Sequence, residues 1–290
     1  MAGVVGGAAE PDRGTGGAGG RRPAPAHVTE PVAAVAEELP GWATLVRAQN
    51  PGPMTLDGTN TWVLRARGAE LAVVVDPGPD GERHLRAVAG HGPVAAVLVT
   101  HRHPDHVAGL ARFQELTGAR LAAAPDGDPG VMRLAGLAVT VIRTPGHTAD
   151  SVCLLVDGDG QRAVLTGDTI LGRGTTVVAW PDGDLADYLS SLRRLAGLTG
   201  VPALPGHGPA LADCGAAAEF YLAHRQARLA QVAEVLAGGT TGPAEVVAAV
   251  YGELDPALRP AAEWSVRAQL AYLATQRRES RPAGRPLDEP

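Results

Sequence analysis

Short apolar runs separated by turns dominate the middle of the chain, from about Trp42 to Gly208. Several runs are bounded by Asp-Pro-Gly or Asp-Gly turns, and runs of this kind predict strands. We predict strands at residues 61–64, 71–76, 94–100, 120–123, 138–143, 151–156 and 163–166. Helices are predicted at 82–89, 108–116 and 185–196, the last with Asp184 as N-cap and leucines on one face at 185, 189, 192 and 195. Strands and helices mixed in this order indicate layered sheets with helices outside them, an α/β class of fold.

The hydrophobic pattern changes after Pro209, where helical spacing replaces the short runs. One long helix is expected at 213–236, a second at 243–251 and a third at 261–276. The first thirty residues and the last eleven are polar or rich in Gly, Ala and Pro, and such composition forms no packed core. We therefore predict a disordered segment at 1–30, a main domain at 31–212, a small helical module at 213–279 and a disordered tail at 280–290.

Composition and charge narrow the class of protein. The net charge of −6 disfavours a generally basic nucleic-acid-binding surface, and all 25 basic residues are Arg. The 2 Cys give neither a disulfide framework nor a Cys-based zinc site, which suits a reducing cytosol. The chain shows no apolar stretch of signal-peptide or membrane-helix length. We expect a cytoplasmic protein without a membrane partner.

The strongest chemical signal is Thr100-His101-Arg102-His103-Pro104-Asp105-His106, directly after an apolar run. A strand that ends in three His and one Asp presents nitrogen and oxygen ligands from one rigid edge. His101 and His103 could bind one metal, and Asp105 and His106 a second, because the loop turns after the strand. Imidazole and carboxylate together suit zinc, while manganese and iron are also compatible with these ligand types. A surface loop that is merely rich in His is the weaker interpretation.

Three further loops each supply one candidate ligand after an apolar run. They carry His147 in Thr144-Pro145-Gly146-His147-Thr148, Asp168 in Thr166-Gly167-Asp168-Thr169, and His207 in Pro205-Gly206-His207-Gly208. Taken singly, each residue is as typical of a structural turn as of a ligand. Together with the first cluster they supply five His and two Asp, enough for two metals with Asp168 between them.

The order His-x-His-x-Asp-His, Gly-His-Thr, Gly-Asp and Gly-His-Gly resembles the metallo-beta-lactamase superfamily. Segments at 50–61, 167–172, 174–176 and 205–209, with Tyr221-Leu222-Ala223-His224-Arg225, resemble its beta-lactamase-like-protein-2 group, which is endoribonuclease-like. The resemblance covers residues from about 50 to 273. It implies an αββα sandwich with metals at one edge, followed by a small C-terminal winged-helix-like helical domain.

The resemblance also implies a ligand set for two Zn²⁺ ions. The first ion would be bound by His101, His103 and His147, the second by Asp105, His106 and His207, with Asp168 bridging them. Asp76 matches an acidic residue that supports the metal loops. Thr100 and Thr148 are expected to fix ligand rotamers by hydrogen bonding. Asn60 and Arg225 are candidates for lining the substrate cleft.

The expected chemistry is hydrolysis by a hydroxide that bridges the two metals. Two zinc ions about 3.5–4 Å apart lower the pKa of a shared water to near neutrality and polarise the scissile group. Asp105 is the candidate catalytic residue, which would orient the hydroxide or pass a proton to the leaving group.

Single-stranded RNA is the substrate that the resemblance suggests first, because the group's animal members resemble single-strand-specific endoribonucleases. The C-terminal region carries arginines that could hold phosphates and aromatics that could stack bases, namely Arg267, Arg277, Arg278, Arg281, Arg285, Trp264 and Tyr272. Nearby acidic residues dilute this patch, so we favour Trp264 in the small module's core and the arginines on a solvated helix face.

Other activities stay open from the sequence. The pattern Pro-Met-Thr-Leu-x-Gly-Thr-Asn-Thr also resembles thioesterases, which suggests a carrier-bound or glyoxalase-type acyl thioester as a small-molecule substrate. A beta-lactam is less favoured, because the chain has no Lys to bind its carboxylate. A non-enzymatic, metal-stabilised interaction protein, with a homodimer formed through the helices, is the remaining alternative. Structural zinc sites close with four ligands, so two ions per chain would favour catalysis.

Three further residues receive ordinary structural interpretations. Cys153 lies inside an apolar run and is expected in the core, while His84 and His91 are expected at the surface.

Overall fold

The computed structural model describes residues 33–122 and 130–280. The disordered segment predicted at 1–30, all but the first residue of the tail predicted at 280–290, and the last residue of the strand predicted at 120–123 lie outside these ranges. Within them, two sheets form the centre of the molecule and helices cover both outer faces.

The first sheet holds five strands in the order β1-β2-β3-β4-β5. Their bounds are Ala43–Arg47 for β1, Asn60–Leu64 for β2, Ala72–Val75 for β3, Val94–Leu98 for β4 and Arg120–Leu121 for β5. The first two pairings are antiparallel, and β3-β4 and β4-β5 are parallel. Because β3 and β4 run parallel, their carboxyl ends lie side by side at one edge of the sheet.

The second sheet also holds five strands, in the order β10-β9-β8-β7-β6. Their bounds are Gly130–Leu134 for β6, Leu137–Arg143 for β7, Val152–Gly158 for β8, Gln161–Gly167 for β9 and Ala203–Pro205 for β10. Only β9 and β10 pair in parallel. Their carboxyl ends therefore lie together, as those of β3 and β4 do.

Seven α-helices lie in the described part of the chain. They are α1 (Glu82–Ala89), α2 (Pro104–Val107), α3 (Leu110–Thr117), α4 (Leu185–Ala196), α5 (Cys214–Ala237), α6 (Pro243–Tyr251) and α7 (Arg259–Glu279). Asp184 caps α4 by accepting from the Asp187 backbone N–H at 3.0 Å, as predicted. Asp213 caps α5 in the same way through Ala216, and each cap contributes about 1 kcal/mol.

Three apolar layers hold the sandwich together. Side chains such as Trp62, Val75 and Leu154 fill the space between the two sheets. The outer face of the first sheet packs on α1 and α3, and that of the second sheet packs on α4 and α5. All four leucines predicted on one face of α4 are buried, and Cys153 is buried as predicted. The αββα architecture is thereby confirmed.

The C-terminal region is helical, with a small core of its own formed by residues such as Val232, Val246, Val250 and Val266. Residues 213–280 contain no strand, so the β-hairpin that forms the wing of a winged helix is absent there. The prediction of a winged-helix-like domain is therefore not confirmed. The expectation that Trp264 belongs to this core is wrong, because its side chain is 43% exposed. In the described ranges, no helix combines the length and apolar character needed to span a membrane.

The structure adds elements that the apolar pattern did not predict, namely β1, β6, β10 and the four-residue α2. It also corrects the placement of His84, which is only 8% exposed instead of lying at the surface. The ring packs beneath the loop after β3, where its Nε2 lies 2.9 Å from Thr61 Oγ1.

Candidate metal centre

The seven residues predicted as ligands gather at one edge of the two sheets. His101 and His103 follow β4, and Asp105 and His106 lie on α2, which begins at Pro104. His147 follows β7, Asp168 follows β9, and His207 follows β10. Each side chain thus extends from a short loop whose start is fixed by a strand in the core.

Three histidine nitrogens converge in the first cluster. His103 Nδ1 lies 3.0 Å from His101 Nε2 and 3.0 Å from His147 Nε2. Tetrahedral zinc with Zn–N bonds of about 2.0–2.1 Å places its ligand nitrogens about 3.3 Å apart, close to these separations. Asp168 Oδ2 completes the group at 4.0 Å from His101 Nε2 and 3.7 Å from His147 Nε2.

The second cluster combines two histidines with a carboxylate. His106 Nε2 lies 3.3 Å from His207 Nε2, and Asp105 Oδ2 lies 3.4 Å from the first and 3.1 Å from the second. Asp168 reaches this cluster too, with Oδ1 at 3.4 Å from His106 Nε2 and Oδ2 at 3.4 Å from His207 Nε2. Asp168 therefore lies between the two clusters.

In three of the five candidate histidines, a hydrogen bond from the opposite ring nitrogen fixes which nitrogen faces the clusters. His147 Nδ1 donates to the Val177 carbonyl at 2.6 Å, and His207 Nδ1 donates to the Gly58 carbonyl at 3.3 Å. His106 Nδ1 donates to Asp76 Oδ2 at 2.9 Å. Because each of these Nδ1 atoms donates, Nε2 is the nitrogen that faces the clusters, which is the arrangement that metal-binding histidines need.

Asp76 and Thr100 form the predicted support beneath the ligands. Asp76 is 2% exposed and accepts from the Thr100 backbone N–H at 2.7 Å and from Thr100 Oγ1 at 2.6 Å. Thr100 Oγ1 in turn accepts from His101 Nδ1 at 3.0 Å. Asp76 adopts a φ of 52°, a conformation that residues other than Gly rarely adopt, at the point where β3 turns toward the site.

Burial and the neighbouring charges shift the pKa values of the cluster in opposite directions. Burial lowers the pKa of His101 well below its usual value and lowers that of His147 to about 4, so both rings are neutral. Burial also opposes charge on His207, but the carboxylates of Asp168 and Asp105 raise its pKa to about 9. Burial opposes ionisation of Asp168, yet His207 and His106 hold its pKa well below the usual range. A carboxylate that stays ionised while buried is a strong attractor of positive charge.

The donor set fits metal ions. Asp168 Oδ1 is buried without a hydrogen-bond partner, and the facing nitrogens of the first cluster cannot all be satisfied by one another. A buried unsatisfied oxygen costs free energy, and a cation at this point would satisfy the oxygen and the nitrogens together. The two groups can therefore bind metal ions through His101, His103, His147 and Asp168, and through Asp105, His106 and His207.

A cavity of about 340 Å³ opens beside the clusters and is lined in part by His147 and Asp168. One wall comes from the loop before β2, through Pro53, Met54 and Leu56, and a second comes from residues 171–177. The C-terminal helices supply the third wall, which consists of His224, Arg225, Tyr251, Leu254, Leu258, Ala261, Ala262 and Ser265. The main domain and the C-terminal helices thus build the cavity jointly.

Two residues predicted at the site make contacts other than those expected. Thr148 contacts no ligand side chain through its hydroxyl, which instead bonds Asp150 Oδ1 at 2.9 Å and Ser151 Oγ at 2.7 Å. Asn60 does not line the cavity, because it is 1% exposed and its amide donates to the Pro205 and Gly208 carbonyls at 3.0 and 2.8 Å. It fixes the loop that carries His207. Arg225, by contrast, lines the cavity.

Three further residues support the site and were not identified from the sequence. Thr59 Oγ1 lies 3.4 Å from Asp105 Oδ2, and Thr176 Oγ1 lies 3.3 Å from His147 Nδ1. The Tyr221 hydroxyl accepts from the Leu171 N–H at 3.0 Å and donates to the Gly174 carbonyl at 3.2 Å, which fixes a cavity wall. All three lie in segments that carry the family resemblance, but the sequence assigned them no role, because their partners are distant along the chain.

Comparison with known proteins agrees with this geometry. The beta-lactamase-like protein 2 homolog of Caenorhabditis elegans is 32% identical over 221 residues, 69% of this chain and 72% of that protein. The atrochrysone carboxyl ACP thioesterase of Aspergillus fumigatus is 32% identical over 71% of this chain and 72% of that protein. A metallo-beta-lactamase family protein of Thermus thermophilus superposes with a TM-score of 0.68 at 23% identity, covering 81% of this chain and 94% of that one.

The family model for the metallo-beta-lactamase superfamily matches residues 54–135 and 130–207, which contain all the candidate ligands. Members of this superfamily are mostly metal-dependent hydrolases. The strand-end ligand clusters, the αββα fold and these matches together place the chain in the metallo-beta-lactamase superfamily.

Proposed function

We propose that this chain is a dinuclear zinc hydrolase that cleaves acyl thioesters. The observation that carries the substrate class is the cavity beside His147 and Asp168, whose walls are mainly apolar. An acyl chain buried there would gain about 25 cal/mol for each Å² of apolar surface removed from water. The thioesterase of Aspergillus fumigatus, at 32% identity, supports the same substrate class.

In this proposal His101, His103 and His147 would hold one ion and Asp105, His106 and His207 the other, with Asp168 placed between the two groups. Two zinc ions bound there would supply an activated water near neutral pH and polarise the scissile carbonyl. The chain's own contribution is to hold the ligand rotamers through Asp76, the Val177 carbonyl and the Gly58 carbonyl.

Asp105 is the candidate proton carrier. Its side chain is 27% exposed, whereas that of the other carboxylate, Asp168, is 9% exposed. A carboxylate at the boundary between the cluster and open space can accept a proton from water at one oxygen and deliver it to the leaving thiolate. Thr59 Oγ1 lies 3.4 Å from Asp105 Oδ2 and would orient the carboxylate by donating to it.

Cleavage of single-stranded RNA is the second candidate function. A nucleic acid would need unpaired cations near the metal clusters, but Arg173 in the cavity wall is paired with Asp57 at 2.5 and 2.8 Å, and the exposed Arg102 is paired with Asp150 at 3.2 Å. What favours RNA is a second, shallow groove lined by Trp180, Trp264 and Arg267, in which Trp264 is 43% exposed. Arg267 is itself paired with Glu263 at 2.6 Å, which weakens its attraction for phosphate.

A side-by-side assay of the zinc-loaded protein tests the proposal. The substrates are octanoyl thioester of N-acetylcysteamine, short single-stranded RNA at low salt, and a chromogenic cephalosporin. We expect thioester hydrolysis that falls by about 10²–10⁴-fold in Asp105→Asn, the usual contribution of a general acid–base group. The matched control is Asp157→Asn, because Asp157 is a surface residue paired with Arg162 and lies outside the site.

Each other result has a defined meaning. Cleavage of RNA without thioester turnover would replace the thioesterase with a ribonuclease, and cephalosporin turnover alone would indicate a lactamase. Zinc-loaded protein that turns over none of the substrates and binds one ion per chain would support the metal-stabilised interaction protein.

A further inference from the structure

His84 is a buried imidazole beneath the loop at residues 76–78, which follows β3. The residue lies on α1, is only 8% exposed and belongs to neither metal cluster. Its Nε2 lies 2.9 Å from Oγ1 of Thr61, a fully buried residue of β2. The Thr61 hydroxyl donates its one proton to the Asp76 carbonyl at 2.7 Å, so the imidazole is the donor in the contact with Thr61. The ring therefore holds this hydroxyl in the orientation that binds Asp76.

The backbone of Asp76 needs such support. Its φ of 52° lies in the left-handed region, where a residue with a side chain is strained and stays only if neighbouring contacts hold it. The Asp76 N–H donates to the Leu98 carbonyl of β4 at 3.0 Å, and the Asp76 carbonyl accepts from Thr61. The second contact comes from a side chain, and its direction depends on His84.

The same loop contacts the imidazole directly at Gly78. A Cβ on Gly78 would lie 2.8 Å from His84 Nε2, so the backbone of this glycine lies against the ring. The Gly78 N–H donates to the His106 carbonyl at 3.0 Å, and Asp76 Oδ2 accepts from His106 Nδ1 at 2.9 Å. Two residues of the loop therefore hold the candidate ligand His106, and His84 lies beneath both of them.

We infer that His84 is a positioning residue of the metal centre, which holds the 76–78 loop in the conformation that orients His106. The inference rests on the part of the proposed function that assigns zinc to the two clusters, and it is independent of the substrate. A side chain that filled the same space without an N–H would leave the buried Thr61 hydroxyl without its donor. Loss of a partner by a buried polar group disfavours the arrangement that exposes the loss, so the hydroxyl would no longer be held toward Asp76.

Zinc affinity, measured by competition with a chromophoric chelator, tests this role. We expect His84→Leu to bind zinc about tenfold more weakly than wild type, the lower end of the usual effect of losing a partner that supports a ligand. His84→Gln should recover most of this loss, because its amide N–H reaches the position of the imidazole Nε2. His91→Leu is the matched control, since His91 is exposed on the turn after α1, and its affinity should be unchanged. Wild-type affinity in His84→Leu, or equal losses in the Leu and Gln variants, overturns the inference.

Thr61→Val tests the same contact from its other end and decides the matter if His84→Leu does not fold. Valine keeps the shape of the side chain and removes only the hydroxyl. We expect a loss of zinc affinity of about tenfold, as in His84→Leu. The double variant should bind zinc as weakly as either single variant, because both changes remove one shared contact. Additive losses, or unchanged affinity in Thr61→Val, contradict the inference.

A measurement on the zinc-free protein separates failure of this inference from failure of the proposed function. In protein labelled with ¹⁵N-histidine, the proton on His106 Nδ1 gives an NMR signal while its hydrogen bond to Asp76 shields it from exchange with water. This signal, assigned by its loss in Asp76→Asn, should persist in wild type and His84→Gln and disappear in His84→Leu and Thr61→Val. That result would support the role of His84 even if wild type bound no zinc, in which case only the assignment of zinc would fail. A signal that persists in His84→Leu and Thr61→Val overturns the inference.

Discussion

Asp76 Oδ2 accepts a hydrogen bond from His106 Nδ1 at 2.9 Å, while the other oxygen of the same carboxylate accepts from the Thr100 backbone N–H at 2.7 Å. One buried carboxylate therefore couples the end of β3 to the loop after β4 and to a candidate ligand. It fixes the ring of His106 so that Nε2 faces Asp168 and His207.

Asp76→Asn should weaken zinc binding by about 10- to 100-fold, the usual effect of losing a supporting partner of a metal ligand. Asn tolerates the left-handed backbone conformation of residue 76. Its NH₂ group, however, would face N–H and O–H groups that now donate to the carboxylate, and two donors cannot bond each other. Competition with a chromophoric chelator measures the affinity. Asp157→Asn, the same change at the surface, should leave the zinc affinity unaltered. Equal zinc affinities of the two variants would show that Asp76 does not support the metal ligands.

Asp168→Asn and His207→Ala should differ in how many zinc ions they retain. Asp168 lies between the two clusters, and both of its carboxylate oxygens face ligand nitrogens. The amide of the Asn variant would offer only one oxygen to the two clusters. His207 belongs to the second cluster only. We expect metal analysis to find about two ions per chain in wild type, about one in His207→Ala and fewer than one in Asp168→Asn. Two ions retained in Asp168→Asn would contradict the bridging role.

The ligand set was accessible from the sequence because its chemistry and its position coincide. Each of the seven residues has a ligating side chain and lies in a loop that comes shortly after a predicted apolar run or, for His207, in a Pro-Gly turn. Ligands that must meet at one sheet edge can therefore be recognised from their position after a strand. The residues that support them cannot, because their partners are far away in sequence: Asn60 bonds the Pro205 carbonyl across 145 positions. The family resemblance of segment 50–61 could point to Asn60, but it could not show whether this side chain supports a loop or lines the cavity.

The burial of individual polar or aromatic residues could not be predicted from the sequence either. His84 lies on α1 among charged residues, which indicates a surface position, yet the loop after β3 covers it. Trp264 lies among apolar residues of α7 and is nevertheless 43% exposed. Both outcomes depend on which helix face meets its neighbour, and that is decided by tertiary packing. The strand β10 was missed because three residues are too few to show an alternation.

Gly206→Ala should disturb the metal centre through contact alone. A Cβ at this position would lie 2.6 Å from Asp168 Oδ1 and 2.7 Å from His106 Cε1, closer than such contacts occur in proteins. Overpacking of this kind costs about 1–3 kcal/mol, so zinc affinity should fall measurably. Gly197→Ala is the control, since its Cβ would meet only the Arg194 carbonyl at 3.4 Å. Competition with a chelator should show weaker zinc binding by Gly206→Ala than by Gly197→Ala. An unchanged zinc affinity in Gly206→Ala would show that the loop can move to accommodate the methyl group.

Tyr221→Phe should lower the free energy of unfolding by about 1–3 kcal/mol. The lost hydroxyl leaves the buried Leu171 N–H without its acceptor at 3.0 Å and the Gly174 carbonyl without its donor at 3.2 Å. Urea unfolding with unchanged m-value measures the difference. Removing the hydroxyl of the half-buried Tyr272 is the matched comparison. Similar stabilities of the two Phe variants would contradict a supporting role for Tyr221.

His84 should make the folded chain less stable in mildly acidic solution. Burial lowers the pKa of this imidazole below its usual value, so the unfolded chain binds the proton more readily than the folded chain does. The stability that His84 contributes is therefore complete above the unfolded pKa of about 6.5 and is lost as the pH falls from there toward the lowered folded value. Urea unfolding of wild type and His84→Gln at pH 7.5 and 5.5 measures the effect. The protonation of residues shared by the two proteins cancels in their difference, so we expect wild type to lose more stability than the variant. Equal losses would show that the ring gains its proton without disturbing the contact with Thr61.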